Sequence, residues 1–196
     1  QMKILEKKWM SLMKKLSLIL NSIFFCLLLT SIAQSSDQRV ITSLYGGVEV
    51  IDGDTIKINN KKIRLFGIDA PEQNQICKNK NDINYKCGVV AKKILEEIAS
   101  KSLITCFYNN YDRYKRILGT CYTVQILGNI PENGIKNYLL KEDFDLNGAL
   151  VRFGYAVAYK KYSKKYLNEQ EIAKKNKIGM WSGKFDMPWE WRKKNK

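Results

Sequence analysis

The sequence predicts a mixed α+β domain that is mainly β, built as a five-stranded barrel with about three helices. Three short apolar runs broken by turn residues lie between residues 48 and 66, and two longer apolar runs flank the polar segment 109–116. Three predicted helices separate or follow these runs: 89–99 has apolar residues at helical spacing, 146–153 is short, and 166–177 is polar and rich in lysine. Short strands with interposed and appended helices are typical of small barrels.

The first 33 residues predict a secretory signal peptide. They carry five lysines against one glutamate, an apolar run at 16–29, and small residues at Ser31 and Ala33. An uncleaved membrane anchor is the alternative, but it is disfavoured because the apolar run is shorter than the roughly 18–20 residues that span a bilayer. Residues 1–33 are therefore predicted to be the leader, 34–46 a linker, 47–183 the folded domain, and 184–196 an aromatic and basic tail.

The first three strands form a predicted meander. Residues 48–51, 55–58 and 62–66 have strand length and alternate or cluster apolar side chains. The intervening Asp52-Gly53-Asp54 and Asn59-Asn60 are turn formers. Together they predict three consecutive strands joined by tight turns.

A helix is predicted next, followed by a hairpin that carries two cysteines. Cys106 and Cys121 lie in apolar runs on either side of the polar segment 109–116. A hairpin centred between Arg113 and Tyr114 would place these two cysteines opposite each other, within the range of a disulfide.

Four cysteines remain when Cys26 is assigned to the leader, and export would place them in an oxidising compartment. Of the three ways to pair them, the hairpin favours the one that leaves Cys77 with Cys87, closing a polar loop. A structural zinc ion bound by all four cysteines is the alternative, although the usual C-x-x-C spacing is absent.

The C-terminal third has one weakly patterned stretch and several clear ones. Residues 128–145 are turn-rich and polar, with only 135–140 indicating a short element, and they predict an insertion or a mobile loop. The remaining predictions are a helix at 146–153, a strand at 155–159, a helix at 166–177, and an aromatic tail at 187–191 that packs against the domain.

The charge of the chain indicates a polyanionic partner. Lysine and arginine number 34 against 19 acidic residues, a formal net charge of +15. Nucleic acid is the first expectation and an anionic membrane surface the second, whereas a merely soluble basic protein is the simplest alternative. The sequence contains no histidine, which excludes imidazole bases, Ser-His-Asp and Cys-His triads, and histidine-bound zinc.

Acids and an arginine near the meander predict a metal-assisted phosphate site. Asp54 lies in one turn, and Asp69 ends a later strand. Carboxylates from different turns can converge with carbonyl oxygens and water on Ca²⁺, or less readily on Mg²⁺. Arg64 and Asp69 are five residues apart and would face opposite sides of a regular strand, so we expect a bulge or bend at Gly67.

Two further side chains complete the predicted site. Glu72, held by the preceding Pro71, would accept a proton from an attacking water or orient it. Arg116, at the end of the hairpin loop, would reach the same phosphate from the other side with paired donors. Taken singly, Asp-Gly-Asp is commonly a hairpin turn and the 113–116 cluster a solvated loop. Their occurrence together indicates one site.

These motifs resemble those of the staphylococcal nuclease, or thermonuclease, family. The resemblance covers residues 48–72, the loop 112–116 and the stretch 146–181. It implies a five-stranded oligonucleotide-binding (OB) barrel with three helices. It also implies a Ca²⁺-dependent phosphodiesterase that cuts DNA and RNA to 3′-phosphate products.

The resemblance further implies roles for individual residues. Ala70 stands where the best-known member has threonine, which keeps the backbone carbonyl, and Arg113 stands where a lysine is usual. The implied catalytic residues are Arg64, Glu72 and Arg116; the calcium ligands are Asp54, Asp69 and the Ala70 carbonyl; the nucleotide-binding residues are Arg113, Tyr114 and Tyr159.

Two classes of function follow. The first is a secreted or periplasmic nuclease, monomeric and without an obligate protein partner. The second is a non-catalytic OB-fold module that binds nucleic acid, since the same fold occurs without the acids. The intact acids favour the nuclease, because uncompensated carboxylates repel phosphate. A membrane-surface protein is disfavoured, since the lysine-rich helix lacks an apolar face.

Overall fold

The computed structural model describes residues 39–43, 47–126 and 140–195, together with Met10 and residues 13–17, which are helical. Most of the predicted leader, including Cys26 and the cleavage position, lies outside the described residues. The chain divides into two compact units, Gln1–Asp37 and Gln38–Lys196, and every element numbered below belongs to the second. None of the helices in the described ranges has the length and apolar composition needed to cross a bilayer.

Strands and helices are numbered from Arg39. The strands are β1 (Arg39–Thr42), β2 (Val48–Asp52), β3 (Thr55–Ile58), β4 (Lys61–Leu65), β5 (Ile68–Asp69), β6 (Ile76–Lys78), β7 (Asn84–Lys86), β8 (Leu103–Tyr111), β9 (Ile117–Ile126), β10 (Leu140–Asp145) and β11 (Val157–Ala158). The helices are α1 (Cys87–Lys101), α2 (Leu146–Arg152), α3 (Leu167–Lys175) and α4 (Pro188–Lys194), with a 3-10 turn at Gly179–Ser182.

The predicted meander is confirmed. β2 pairs antiparallel with β3, and β3 with β4. Asn59 and Asn60 connect β3 to β4 with φ values of 48° and 63°. Positive φ at both central residues is the geometry of a two-residue turn that matches strand twist, and asparagine tolerates it better than most residues.

The predicted cysteine hairpin is also confirmed. β8 and β9 are antiparallel, and Cys106 lies directly opposite Cys121, to which it is disulfide-bonded. The second disulfide joins Cys77 to Cys87, so the structure contains both predicted bonds. β9 then pairs in parallel with β4, which connects the hairpin to the meander.

The sheet extends beyond the predicted strands. β1, from the stretch predicted to be a linker, pairs with β8, and β10 pairs with β9. The prediction of a loop was therefore wrong for residues 140–145. This segment reads Leu-Lys-Glu-Asp-Phe-Asp, without an alternating apolar pattern, and its pairing to β9 depends on backbone hydrogen bonds that composition does not reveal.

The mixed α+β class is confirmed, whereas the closed barrel is not. In the described residues, seven strands form one sheet in the order β1-β8-β9-β4-β3-β2, with β10 paired to β9, and this sheet is not closed. Two small sheets, β5 with β11 and β6 with β7, accompany it. Apolar patterns locate strands along the chain but do not specify which edges meet, so the expected five-strand closure was wrong for the described residues.

Two hydrophobic clusters hold these elements together. The larger one packs α1, α2 and the sheet, with Leu95, Ile104 and Leu150 almost inaccessible to solvent. The smaller one surrounds the Cys77–Cys87 disulfide and contains Val157 and Met180, with aromatic residues of the C-terminal segment against it. The aromatic tail therefore packs as predicted, and in addition its residues Pro188–Lys194 form α4.

Candidate active site

A turn at Gly67 brings Arg64 and Asp69 together. β4 ends one residue after Arg64, and Gly67 then adopts a φ of +80°, a left-handed conformation that side chains rarely tolerate. A β-carbon added to Gly67 would also lie 3.1 Å from that of Ser163. Because the chain bends here, Nη2 of Arg64 lies 2.7 Å from Oδ1 of Asp69. The predicted bend is therefore confirmed at the predicted residue.

Asp54 is the second carboxylate that Arg64 contacts. It lies in the turn between β2 and β3 and is 2% exposed. Its Oδ1 accepts a hydrogen bond from Nη1 of Arg64, and its Oδ2 accepts one from the backbone N–H of Ala70 at 2.8 Å. Burial, opposed by the Arg64 guanidinium, raises the pKa of Asp54 to about 7, and the negative charges of neighbouring aspartates add to the rise.

Glu72 lies at the edge of this buried cluster. Its side chain is 42% exposed, and its loop is held by main-chain contacts. The backbone N–H of Gln75 donates to the Glu72 carbonyl at 2.8 Å. A β-carbon on Gly88, in the first turn of α1, would lie 2.0 Å from that same carbonyl oxygen, so only glycine fits there. The start of α1 therefore packs directly beneath the backbone of Glu72.

Arg192, in α4, binds both acids from the opposite end of the sequence. Its Nη2 lies 2.7 Å from Oδ2 of Asp69, and its Nη1 lies 3.2 Å from Oδ1 of Asp69 and 2.8 Å from Oε1 of Glu72. Burial alone would lower the pKa of Arg192, but the two carboxylates outweigh this effect and raise the pKa above its ordinary value. The guanidinium therefore stays charged. Two arginines thus flank Asp69, which is completely buried.

The hairpin loop between β8 and β9 forms the other side of the site. Asp112 accepts hydrogen bonds from the backbone N–H groups of Tyr114 and Arg116, both at 2.9 Å, and pairs with the Arg116 guanidinium at 2.7 Å. Although burial raises it, the pKa of Asp112 is held below its usual range by the backbone and side-chain hydrogen bonds from Arg116. The guanidinium of Arg113 lies 4.7 Å from the Tyr114 ring centre.

Tyr159 lies in an aromatic cluster beside the acids. Its ring stacks on that of Trp189, with centroids 5.3 Å apart and an interplanar angle of 6°. Tyr162 packs edge-on against the same tyrosine at 4.7 Å. One face of Tyr159 is therefore covered by α4.

An open cleft of about 750 Å³ joins these groups. Arg64 and Glu72 line it on the side of the acids, and Tyr162 and Lys161 also contribute to its walls. The buried Asp54, Asp69 and Ala70 do not line the cleft and lie behind Arg64. The remaining predicted side chains, Arg113, Tyr114, Arg116 and Tyr159, all line it.

The acids fit the chemistry of a calcium ion. Asp54 and Asp69 offer hard oxygen donors, the ligand type that Ca²⁺ prefers, and the Ala70 backbone is buried with them. The desolvation that raises the Asp54 pKa is a cost that a bound cation would offset. Across the described ranges, no three acidic, cysteine or histidine side chains form a group able to hold a metal. A calcium ion here would therefore complete its shell with carbonyl oxygens and water.

Two residues of this arrangement were not predicted. Asp112 had a local signal, because an aspartate at the start of a turn commonly accepts hydrogen bonds from the backbone that follows. Arg192 had no such signal. It follows Trp191 in a tail whose aromatic content predicted packing, and no spacing rule connects it to Glu72, which is 120 residues away.

Comparisons with known proteins place this chain among nucleases. A family model described as "Staphylococcal nuclease homologue" matches residues 62–183, more than half of the chain. The succinoglycan biosynthesis protein ExoI of Rhizobium meliloti is 30% identical over 155 residues, which cover 78% of this chain and 72% of that protein. An uncharacterized endonuclease of Escherichia coli is 30% identical over 152 residues, covering 74% and 82% respectively. One of Haemophilus influenzae is 29% identical over 157 residues, covering 76% and 72%.

Proposed function

Since the chain belongs to the staphylococcal nuclease family, we propose that it is a calcium-dependent phosphodiesterase that hydrolyses DNA and RNA and leaves 3′-phosphate products. Relatives named as endonucleases support the nuclease activity itself. The net charge of +15 supports a nucleic acid substrate, because it favours the approach of a polyanion.

One observation carries the proposal. The Arg64 guanidinium bridges two buried carboxylates, Asp54 and Asp69, and the same guanidinium faces a cleft that Glu72 and Arg116 also line. Two carboxylates held this close to the cleft would repel a bound phosphate unless a cation or an arginine compensated their charge. Beside a substrate phosphate, they serve to hold a cation and to orient an arginine.

In this proposal, the chain's own side chains bind the phosphate and move one proton. Arg64 and Arg116 donate hydrogen bonds to the phosphate oxygens and stabilise the charge that develops on them. The Glu72 carboxylate accepts the proton of the water that attacks phosphorus, the bond from phosphorus to the 5′ oxygen breaks, and the leaving oxygen takes a proton from solvent. Its partial exposure leaves it accessible from the cleft, where that water would stand.

Asp54, Asp69 and the backbone carbonyl of Ala70 would hold the calcium ion. When bound, Ca²⁺ would neutralise phosphate charge and lower the pKa of a coordinated water. The two arginines that contact these carboxylates would then share them with the cation.

Aromatic side chains of the cleft would bind the bases. Tyr114 is 64% exposed and lies beneath the Arg113 guanidinium, a combination that suits stacking on a base. Tyr159 is stacked on Trp189 and packed edge-on with Tyr162, so only the part of its side chain that lines the cleft would contact a nucleotide. These contacts tolerate every base, so we expect little sequence preference.

We also infer that the protein is exported and acts as a monomer. Two disulfides within the described residues support an oxidising compartment. The leader pattern supports the same inference from the sequence.

The test is digestion of single-stranded DNA and of RNA by the full chain with Ca²⁺, with Mg²⁺ or with a chelator. The variants are Glu72→Gln, which removes the base while keeping its shape, and Glu171→Gln, an exposed control outside the cleft. We expect Ca²⁺-dependent cleavage that falls roughly 100- to 10,000-fold in Glu72→Gln only. Binding without cleavage, unaffected by Glu72→Gln, would identify a non-catalytic binding module instead.

A further inference from the structure

We propose that Arg192 is a positioning residue that holds the carboxylate of Glu72 in the cleft at a set distance from Asp69. This inference rests on the proposed function, because it assigns Glu72 the part of the base. It adds to the site an arginine from the C-terminal helix.

The contact geometry shows that Arg192 bridges Glu72 and Asp69. A single nitrogen, Nη1 of Arg192, lies 2.8 Å from Oε1 of Glu72 and 3.2 Å from Oδ1 of Asp69. The neighbouring Nη2 binds the other oxygen of Asp69 at 2.7 Å. Because the guanidinium is planar and rigid, its two-point hold on the buried Asp69 also determines where Glu72 can bind.

Glu72 needs such a partner. Its side chain is 42% exposed, and a glutamate in that situation samples several rotamers. Among the hydrogen bonds and ion pairs of the described residues, Arg192 is the partner of its carboxylate. A general base works only when it stays within hydrogen-bond reach of the attacking water.

Arg192 is itself held by contacts that reach the loop of Glu72. Gln75, which is fully buried, donates from its side-chain amide to the carbonyl of Asp186 at 2.7 Å. The carbonyl oxygen of the same amide accepts from the backbone N–H of Glu72 at 3.3 Å. The segment before α4 and the loop that carries the base thus share one anchor.

A second anchor is aromatic. Trp189, three residues before Arg192 and therefore on the adjoining turn of α4, stacks on Tyr159. The smaller hydrophobic cluster, around Cys77 and Cys87, packs against the same segment. The guanidinium is therefore presented by an ordered element, as a positioning residue requires.

The experiment compares three variants in steady-state cleavage of single-stranded DNA with Ca²⁺. Arg192→Ala removes the bridge, Arg192→Lys keeps the charge but can no longer bridge two carboxylates, and Lys193→Ala removes a neighbouring exposed charge from the same helix. We expect kcat to fall roughly 10- to 100-fold in Arg192→Ala with little change in KM. Arg192→Lys should lie between, and Lys193→Ala should match the wild type.

A readout independent of activity accompanies this comparison. Thermal unfolding of Arg192→Ala, Glu72→Gln and the double variant should show non-additive effects, because the two side chains share one contact. Additive effects would overturn the inference. A rise in KM with unchanged kcat would also overturn it, since that result would make Arg192 a phosphate ligand.

Two other results are decisive. Faster cleavage by Arg192→Ala would show that the arginine blocks the site, which contradicts a positioning part. If the wild type cleaves DNA and Arg192→Ala has the same kcat as Lys193→Ala, this inference alone is overturned. If the wild-type protein cleaves neither DNA nor RNA, the proposed function is overturned as well.

Discussion

The indole ring of Trp189 stacks on the phenol ring of Tyr159, with centroids 5.3 Å apart and planes 6° apart. This contact fastens α4 to the residue that follows β11, and β11 pairs with β5, where Asp69 lies. The stack therefore connects the C-terminal helix to the buried centre of the site. Tyr159, which was predicted to bind the nucleotide, therefore also has a structural role.

Trp189→Ala should lower both stability and activity. A stacked aromatic pair contributes about 0.5–1.5 kcal/mol beyond its buried area, and each kcal/mol shifts Tm by roughly 2–4 °C in a chain of this size. Activity should fall even at temperatures where the variant is fully folded, because α4 carries Arg192. Scanning calorimetry and a nuclease assay below Tm measure the two effects. Phe153→Ala, an exposed aromatic outside the cleft, serves as the control; equal activity in both variants would contradict the prediction.

Asp54→Asn should make the metal-free protein more stable than the wild type, and this difference in the free energy of unfolding should grow as pH rises. The pKa of Asp54 is about 7 in the folded state against 3.8 in the unfolded state, so the folded state binds more protons between these values. Wild-type stability therefore falls between about pH 4 and pH 7, whereas asparagine has no charge to bury. We expect the variant's gain to grow over this range and to level off above pH 7 on the order of 4 kcal/mol.

Unfolding with chelator at pH 5 and pH 8 measures this difference. Asp82→Asn is the matched control, since hydrogen bonds donated by Lys78 and Lys184 lower the pKa of that exposed carboxyl. A gain that is the same at both pH values would contradict the burial effect. Nuclease activity should be lost in Asp54→Asn, because a proposed metal ligand is replaced.

Arg116→Lys should lower turnover far more than stability. Lysine keeps the charge but loses the planar paired donors that contact Asp112 and that would contact phosphate. Loss of one transition-state donor costs roughly 100- to 1,000-fold in kcat, while Tm should move by no more than about 2 °C. Arg152→Lys, exposed and outside the cleft, is the control. Wild-type turnover in Arg116→Lys would remove this arginine from the site.

The two disulfides should differ in their effect on activity. They close loops of similar length, with sequence separations of 10 and 15, so each should contribute about 3 kcal/mol of stability. Cys77–Cys87 packs against the segment that carries Arg192, whereas Cys106–Cys121 lies in the core of the hairpin. Replacing both cysteines of either disulfide with alanine should therefore destabilise the protein by the same amount. Only the variant that lacks Cys77–Cys87 should also have a reduced kcat.

Peptide mapping without reductant, unfolding and steady-state kinetics test this prediction. Recovery of a free thiol at Cys106 or Cys121 in the wild type would contradict the pairing. Equal loss of kcat in both double variants would contradict the link between the Cys77–Cys87 loop and the site.

The local part of the site followed from the sequence because turns and strand alternation are short-range. Asp54, Arg64 and Asp69 lie within one meander and its exit. The five-residue offset of Arg64 and Asp69 predicted the bend at Gly67 that joins these two, and the pairing of β3 with β4 places Thr55, next to Asp54, opposite Arg64. The pairing of Cys106 with Cys121 followed from the symmetry of a single hairpin. The family resemblance then supplied the expected roles, and the family itself is confirmed.

The rest depended on contacts between distant segments. β10 has no apolar alternation of its own, and its pairing with β9 is made by backbone groups that every residue possesses. Whether the sheet closes also depends on edges that lie far apart in the chain. Periodicity cannot specify either feature, since it describes only what each segment buries.

The sequence by itself determined which acids belong to the candidate site and which arginines of the meander and hairpin accompany them. It also determined the turns that carry these side chains. Only the tertiary structure decided that Arg192 would meet Glu72 and Asp69, because 120 and 123 residues separate these partners and no local pattern connects them. The burial of an aromatic tail against the Cys77–Cys87 disulfide and Tyr159 brings that arginine to the site. Hydrophobic burial is non-directional, so its outcome is fixed by the assembled shape and not by the sequence of the tail alone.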